Sequence, residues 1–336
     1  MKAIGYKTPG DVNVLHDIEL PRPQPGPRDL LVKIEAISIN PVDTKIRTRA
    51  GTLPDEEYRV LGWDATGTVQ QAGEETTLFS VGDKVFYSGA LMRQGANAEY
   101  HVVDERLVGH KPQTLDWGQA AALPLTSVTA WEMLFDRMKI KQHSKGHLLI
   151  IGGAGGVGSI MIQLARKLTN LTVIATASRP ETRDWVRRLG AHHIVDHRQD
   201  MKAQLADLNI PVVEYIASLT ASDAHHAALT ELIAPQGHIS LIDDPASFDI
   251  MPFKRKSATI SWEFMYTRSL FETPDMDAQH KILEEISRLV DRGEIVTTET
   301  QRVSPINAET LRTLHTESES GRSIGKTVAI GFSSVR

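Results

Sequence analysis

Hydrophobic and polar positions fall into two textures that meet near residue 124. Before it, short apolar runs at residues 30–39, 66–72, 84–87 and 98–103 are divided by Gly and Pro and read as strands. The cluster Pro21-Arg22-Pro23-Gln24-Pro25-Gly26-Pro27 excludes helix and central strand, because each proline lacks an amide donor and has a fixed φ. It is expected to be a surface connection. Val81-Gly82-Asp83-Lys84-Val85 has the look of a tight turn opening a strand.

Beyond residue 124 helical spacing at 127–135 and an apolar run at 147–151 begin a regular alternation. Helices are expected at 157–168, at 181–189 (ended by Gly190), at 200–208 and at 223–233. Strands are expected at 171–176, 194–195, 212–216 and 238–242. Strands separated by helices of roughly 10 to 15 residues indicate a parallel sheet with right-handed crossovers. Past residue 260 come helices at 276–291 and 306–318 and a closing strand at 326–330, which rejoin the first region. The expected fold class is α/β: a doubly wound parallel sheet over residues 125–262, inserted into a β-rich domain made of 1–124 and 263–336.

A chain of 336 residues exceeds what one core usually serves, which agrees with two domains. The formal net charge of -5 argues against a nucleic-acid or anionic-membrane surface as the main partner. There is no cysteine, so disulfides and thiolate metal sites are excluded, in keeping with a reducing compartment. No signal-peptide pattern and no apolar run of membrane-spanning length is present, and the expected location is the cytoplasm. The sequon Asn170-Leu171-Thr172 is then a chance match.

The chemistry-bearing motif is Leu148-Leu149-Ile150-Ile151-Gly152-Gly153-Ala154-Gly155-Gly156-Val157-Gly158. Gly153, Gly155 and Gly158 form G-x-G-x-x-G between an apolar strand and an amphipathic helix. The first glycine permits the tight turn, the second admits a pyrophosphate against the backbone, and the third lets helix pack on strand. Ala154, Gly156 and Val157 complete the loop, whose amides and helix dipole suit a dinucleotide phosphate. At the end of the next strand an NAD site wants a carboxylate for the ribose hydroxyls. Here the chain runs into Ala177-Ser178-Arg179, a hydroxyl and a guanidinium suited to a 2′-phosphate, so the expected cofactor is NADPH.

The glycine motif with Leu189-Gly190-Ala191 resembles the medium-chain dehydrogenase/reductase superfamily. Ser38-Ile39-Asn40-Pro41-Val42-Asp43-Thr44-Lys45 and Leu61-Gly62-Trp63-Asp64-Ala65-Thr66-Gly67 resemble its quinone oxidoreductase branch, and most of all the zinc-type alcohol dehydrogenase-like proteins. Further likenesses are Ala98-Glu99-Tyr100, Ala120-Ala121-Ala122-Leu123-Pro124, Thr129-Ala130-Trp131, Pro235-Gln236-Gly237-His238-Ile239 and Gly325-Lys326. The resemblance implies a GroES-like catalytic domain, a Rossmann domain over about residues 125 to 262, and a homodimer or homotetramer. It also implies cofactor contacts at Thr129 and Lys326.

Zinc-dependent members carry Cys, His-Glu and a further Cys or Asp as ligands; the matching positions here are Asn40, Trp63-Asp64 and Leu125. Asn, Trp and Leu cannot supply soft or imidazole donors, and one Asp cannot hold zinc alone, so no metal is expected. The adjacent pairs His192-His193 and His225-His226 diverge on a strand or helix and make no site. Without a Lewis acid, reduction of a quinone or an α,β-unsaturated carbonyl is better supported than oxidation of a plain alcohol. Reduction of aldehydes or ketones is an alternative, and a non-enzymatic NADPH-binding sensor or structural role is another.

By the resemblance Asn40 lies beside the reacting groups, where its amide would donate to a substrate carbonyl or else tie down the Asn40-Pro41 turn. Lys45 stands where relatives carry Tyr, as a proton donor, a ribose ligand or an exposed cation. Trp63, Tyr87 and Trp262 line an aromatic pocket for a flat electron acceptor, unless they are core. Phe253-Lys254-Arg255-Lys256 is read as a solvated loop that would otherwise face the cofactor phosphates.

Overall fold

The computed structural model describes residues 1–332. Two compact units divide the chain: Met1–Val128 with the segment from Tyr266 on, and Thr129–Met265.

The first unit begins with β1 (Lys2–Tyr6), β2 (His16–Glu19) and β3 (Asp29–Ser38). The proline-rich segment before β3 is coil, as each missing amide requires. Helix α1 (Pro41–Arg49) follows at once. It starts there because Pro41 occupies its first position and Asp43 accepts the Asn40 backbone N–H at 2.6 Å. Strands β4 (Arg59–Val60), β5 (Ala65–Ala72), β6 (Lys84–Tyr87), β7 (Tyr100–Asp104) and β8 (Val108–His110) come next, with helix α2 (Trp117–Ala121). Gly82, at φ +98°, makes the turn into β6. Helix α3 (Pro124–Trp131) leads into one widened turn over Glu132–Arg137, where the Met138 amide bonds the Met133 carbonyl five residues back.

The second unit holds β9 (His147–Ile151), α4 (Gly156–Leu168), β10 (Thr172–Thr176), α5 (Pro180–Arg188), β11 (His193–Val195) and α6 (Met201–Asp207). It is completed by β12 (Val213–Ser218), α7 (His226–Leu232), β13 (Ile233–Leu241) and β14 (Thr259–Trp262). These six strands form one parallel sheet in the order β11-β10-β9-β12-β13-β14. The order reverses between β9 and β12, which is the switch point where doubly wound sheets bind ligands. Leu149, Ile151, Ile174, Ile216, Ile239 and Leu241 are central to the core, alternate residues of strands buried on both faces.

The chain then returns to the first unit with α8 (Thr267–Leu270), α9 (Ala278–Asp291), β15 (Glu299–Val303), α10 (Ala308–Glu319) and β16 (Lys326–Ile330). A sheet runs β15-β16-β3-β5-β6-β8, with β7 also paired to β3, and β2-β1-β4 form a second. The protein is α/β: a GroES-like β-rich part and a six-stranded parallel Rossmann-like sheet. Among the described residues no helix is long and apolar enough to cross a membrane.

Candidate active site

In the second unit the glycine motif joins β9 to α4 at the carboxyl edge of the sheet. A Cβ on Gly158 would meet the Gly152 and Gly153 carbonyl oxygens at 2.5 and 2.6 Å, so only glycine lets α4 pack this close. A Cβ on Gly153 would meet that of Ala175 at 2.8 Å. A Cβ on Gly155 would meet only the Gly152 oxygen at 3.5 Å, which leaves that side of the loop open for a phosphate. Gly152 takes φ +83°, and its N–H donates to Thr176 Oγ1 at 2.9 Å, tying the loop to β10. Ala154, Gly156 and Val157 lie in the same loop and the first turn of α4.

Ser178 and Arg179 follow the end of β10, both half-buried, with Arg179 Nε 3.3 Å from Glu181. Beside them stands a residue that the sequence reading missed. Arg198, beyond the end of β11, donates to the Ser178 carbonyl at 2.8 Å. Asp196 holds its guanidinium in a fork, with bonds of 3.1 and 2.8 Å. That guanidinium holds the Asp196 carboxyl down at about 2. Its position a few residues past the third strand was the available signal.

Several residues singled out from sequence take other roles. Trp63 is 1% exposed and donates its indole N–H to the Ala90 carbonyl at 3.2 Å. Tyr87 is fully buried, and its hydroxyl meets His101 Nδ1 at 3.0 Å while the two rings stack. Both are core, so neither presents a face to a substrate; burial of a large ring outweighed the pocket role. Trp262, at the end of β14, is 50% exposed. Thr129 is buried in α3, and Lys45 is half-buried on α1. The basic run is no solvated loop throughout: Phe253 is core, and Lys256 Nζ caps α7 on the carbonyls of Thr230, Glu231 and Ile233 at 2.8, 2.7 and 2.7 Å.

In the first unit a buried polar cluster occupies the positions that match zinc ligands. Asn40 Nδ2 donates to Asp64 Oδ2 at 2.8 Å. Asp64 Oδ1 accepts the Leu125 N–H at 2.8 Å. Lys326 Nζ donates to Asn40 Oδ1 at 2.6 Å and to the Ile39 carbonyl, and lies 3.2 Å from Asp64 Oδ2. Burial opposes every charge here: it pushes Asp43 up to about 7, raises Asp64, and lowers Lys326 against the pull of both carboxylates. The Asn40 amide is spent within the cluster and has no free donor for a substrate carbonyl. Lys326, only 4% exposed, directs its ammonium into this cluster.

The donor set does not fit zinc. Asn40 and Asp64 are committed to an ammonium and a backbone amide, Leu125 offers only its N–H, and Trp63 points its one polar atom elsewhere. Among the described residues no group of three or more His, Asp or Glu side chains is placed to hold a metal ion.

Residues 26–113 match the alcohol dehydrogenase GroES-like domain family, and residues 156–280 match the zinc-binding dehydrogenase family. A zinc-type alcohol dehydrogenase-like protein of Staphylococcus aureus is 41% identical over 336 residues, covering 98% of this chain and 99% of the relative. A chloroplastic quinone-oxidoreductase homolog of Spinacia oleracea is 35% identical, over 64% of this chain and 67% of that protein. The 2-methylene-furan-3-one reductase of Solanum lycopersicum is 35% identical, over 62% and 55%. Among solved structures, a candidate zinc-dependent alcohol dehydrogenase of Rhizobium etli superposes with a TM-score of 0.96 at 51% identity, covering 99% of both chains. A mycobacterial protein solved with NADPH superposes with a TM-score of 0.83 at 25% identity, covering 98% of this chain and 99% of that one. The chain belongs to the medium-chain dehydrogenase/reductase superfamily of NAD(P)H-using oxidoreductases, close to the zinc-type alcohol dehydrogenase-like proteins.

Proposed function

We propose that this protein is a zinc-independent, NADPH-dependent reductase of quinones or α,β-unsaturated carbonyls. The observation that carries the reading is the lip of the nucleotide sheet. There Ser178, Arg179 and Arg198 gather beside the open glycine loop, with Asp196 bound to Arg198 and Glu181 3.3 Å from Arg179, so each carboxylate is matched by a guanidinium. Such a lip favours the doubly charged 2′-phosphate over a bare ribose. The amides at the start of α4 and the Gly155 backbone would hold the pyrophosphate. Bound NADPH would supply a hydride to the acceptor. With no residue set able to hold a Lewis acid at Asn40, Asp64 and Leu125, the acceptor must itself be electron-poor. The spinach and tomato relatives, one named for quinones and one for an enone, support that class.

The test is NADPH and NADH oxidation by EDTA-treated protein against quinones, enones, aldehydes and ketones. Turnover of quinones or enones with NADPH preferred is the expected result. Equal use of NADH, turnover confined to saturated aldehydes, or no turnover despite tight NADPH binding each refutes part of the proposal. The last would indicate a sensor or structural protein.

We also propose a homodimer. Among the described residues β14 closes the parallel sheet and pairs only with β13, while Trp262 and Phe264 beside it are 50% and 47% exposed. Sedimentation of the protein and of Trp262→Ser checks this; a wild-type monomer at micromolar concentration counts against it.

A further inference from the structure

We propose that Lys326 is a built-in cation: its ammonium ties Asn40 and Asp64, two of the positions that match zinc ligands, into one closed polar cluster that excludes a metal ion. The inference deepens the zinc-independent part of the reading above, and does not depend on which cofactor or acceptor is used.

Topology brings the groups together. β16 runs antiparallel to β3 with Val328 opposite Ser38 and Ala329 opposite Ile37. Continuing that register by two residues sets Lys326 opposite Asn40, at the point where β3 gives way to α1. The side chain therefore enters from the sheet and meets Asn40 and Asp64 from one side.

The valences close. An ammonium has three N–H donors, and Lys326 has three acceptors: the Ile39 carbonyl, Asn40 Oδ1 and Asp64. The Asn40 amide passes the charge on, because its Nδ2 donates to the same Asp64 Oδ2 that faces the ammonium. Asp64 Oδ1 then holds the Leu125 N–H. Thus Asp64 alone links Asn40, Leu125 and Lys326, and Asp43 closes the far side by accepting the Asn40 N–H. All of these side chains are buried, so an ion entering from solvent would have to displace a fully bonded ammonium. A divalent ion would also find one amide, two carboxylates and no imidazole, a poor set for zinc.

Removing one member of a buried pair leaves an uncompensated charge, whereas removing both is far milder. Lys326→Met should lower the folding equilibrium constant by roughly a hundredfold or more. Asp64→Asn should weaken it too, and the double variant should recover most of the loss. Denaturant unfolding of the four proteins reads this directly. If Lys326→Met does not fold while the double variant does, the result is the same in stronger form. A second readout is the melting temperature with and without zinc. Zinc should leave the wild type unchanged, or shift wild type and Asp64→Asn alike through surface groups. The proposal is overturned if Lys326→Met is as stable as wild type, or if the two substitutions simply add. It is equally overturned if purified wild type holds one zinc whose removal lowers the melting temperature and whose uptake Asp64→Asn abolishes.

Discussion

Replacing Glu263 by glutamine should abolish a steep dependence of stability on pH. Glu263, just after β14, is 3% exposed, and Glu132, in the widened turn, is 1% exposed. Their carboxyl groups repel one another, and Arg137 serves both, at 2.7 Å from Glu263 and 3.7 Å from Glu132. One guanidinium cannot balance two buried carboxylates, so the pair keeps a proton. Burial, then the charge of Glu132, pushes Glu263 up to about 9 from an ordinary value of 4.5. Because the folded-state pKa is raised, the stabilisation is complete below 4.5 and is lost as pH climbs to about 9. In that window the folded protein binds one more proton than the unfolded chain, so stability falls by about 1.4 kcal/mol per pH unit. From about pH 5 to about pH 8 the sum is about 4 kcal/mol. The glutamine side chain would keep the Arg137 hydrogen bond through its carbonyl oxygen without titrating. Urea unfolding of wild type and Glu263→Gln, followed by circular dichroism across this range, gives the contribution of the Glu263–Glu132 pair as a difference. A difference that stays constant with pH would show that Glu263 is ionised in the fold and refute the reasoning.

Gly158→Ala drives a methyl into two carbonyl oxygens at 2.5 and 2.6 Å and should cost about 1 to 3 kcal/mol, with NADPH affinity falling as α4 shifts; thermal melts and cofactor titration check it. Arg198→Ala should raise the Kd for NADPH by about tenfold and leave that for NADH unchanged, since only the 2′-phosphate loses a charge-assisted donor; equal effects on both cofactors would remove Arg198 from the site. Burial holds His101 at about 4 and His315 at about 3, the latter helped by Arg47. Their folded values lie below 6.5, so their stabilisation is present above that pH and lost on acidification toward 4 and 3, by up to about 1.4 kcal/mol per pH unit each. Denaturation midpoints from neutral pH downward should show the loss, and His315→Gln should lessen the slope.

The nucleotide half was legible because its signals are local. An apolar strand, three glycines and an amphipathic helix lie within 22 residues of sequence, His147 to Leu168, and helical and strand periods in the following segments need no distant partner to be read. Most of those elements form within a few residues of their expected limits. Helix α1 was missed because Asn40-Pro41 signals a turn and a helix start alike, and here Asp43 decides for the helix. Strands β2 and β15 were missed because most of their residues are polar and exposed, so they show no apolar alternation.

By itself the sequence determined the alternating architecture, the phosphate loop, the want of a carboxylate after β10, and a donor set unsuited to zinc. Only the tertiary structure decided what the remaining polar and aromatic residues do. Trp63 and Tyr87 became core, Arg198 joined Ser178, and Lys326 reached Asn40 across 286 residues of chain. The physical reason is range. Helix and strand periods and glycine turns arise from neighbours in sequence, whereas a buried ion cluster is assembled by sheet register between distant strands, and its members carry no common spacing.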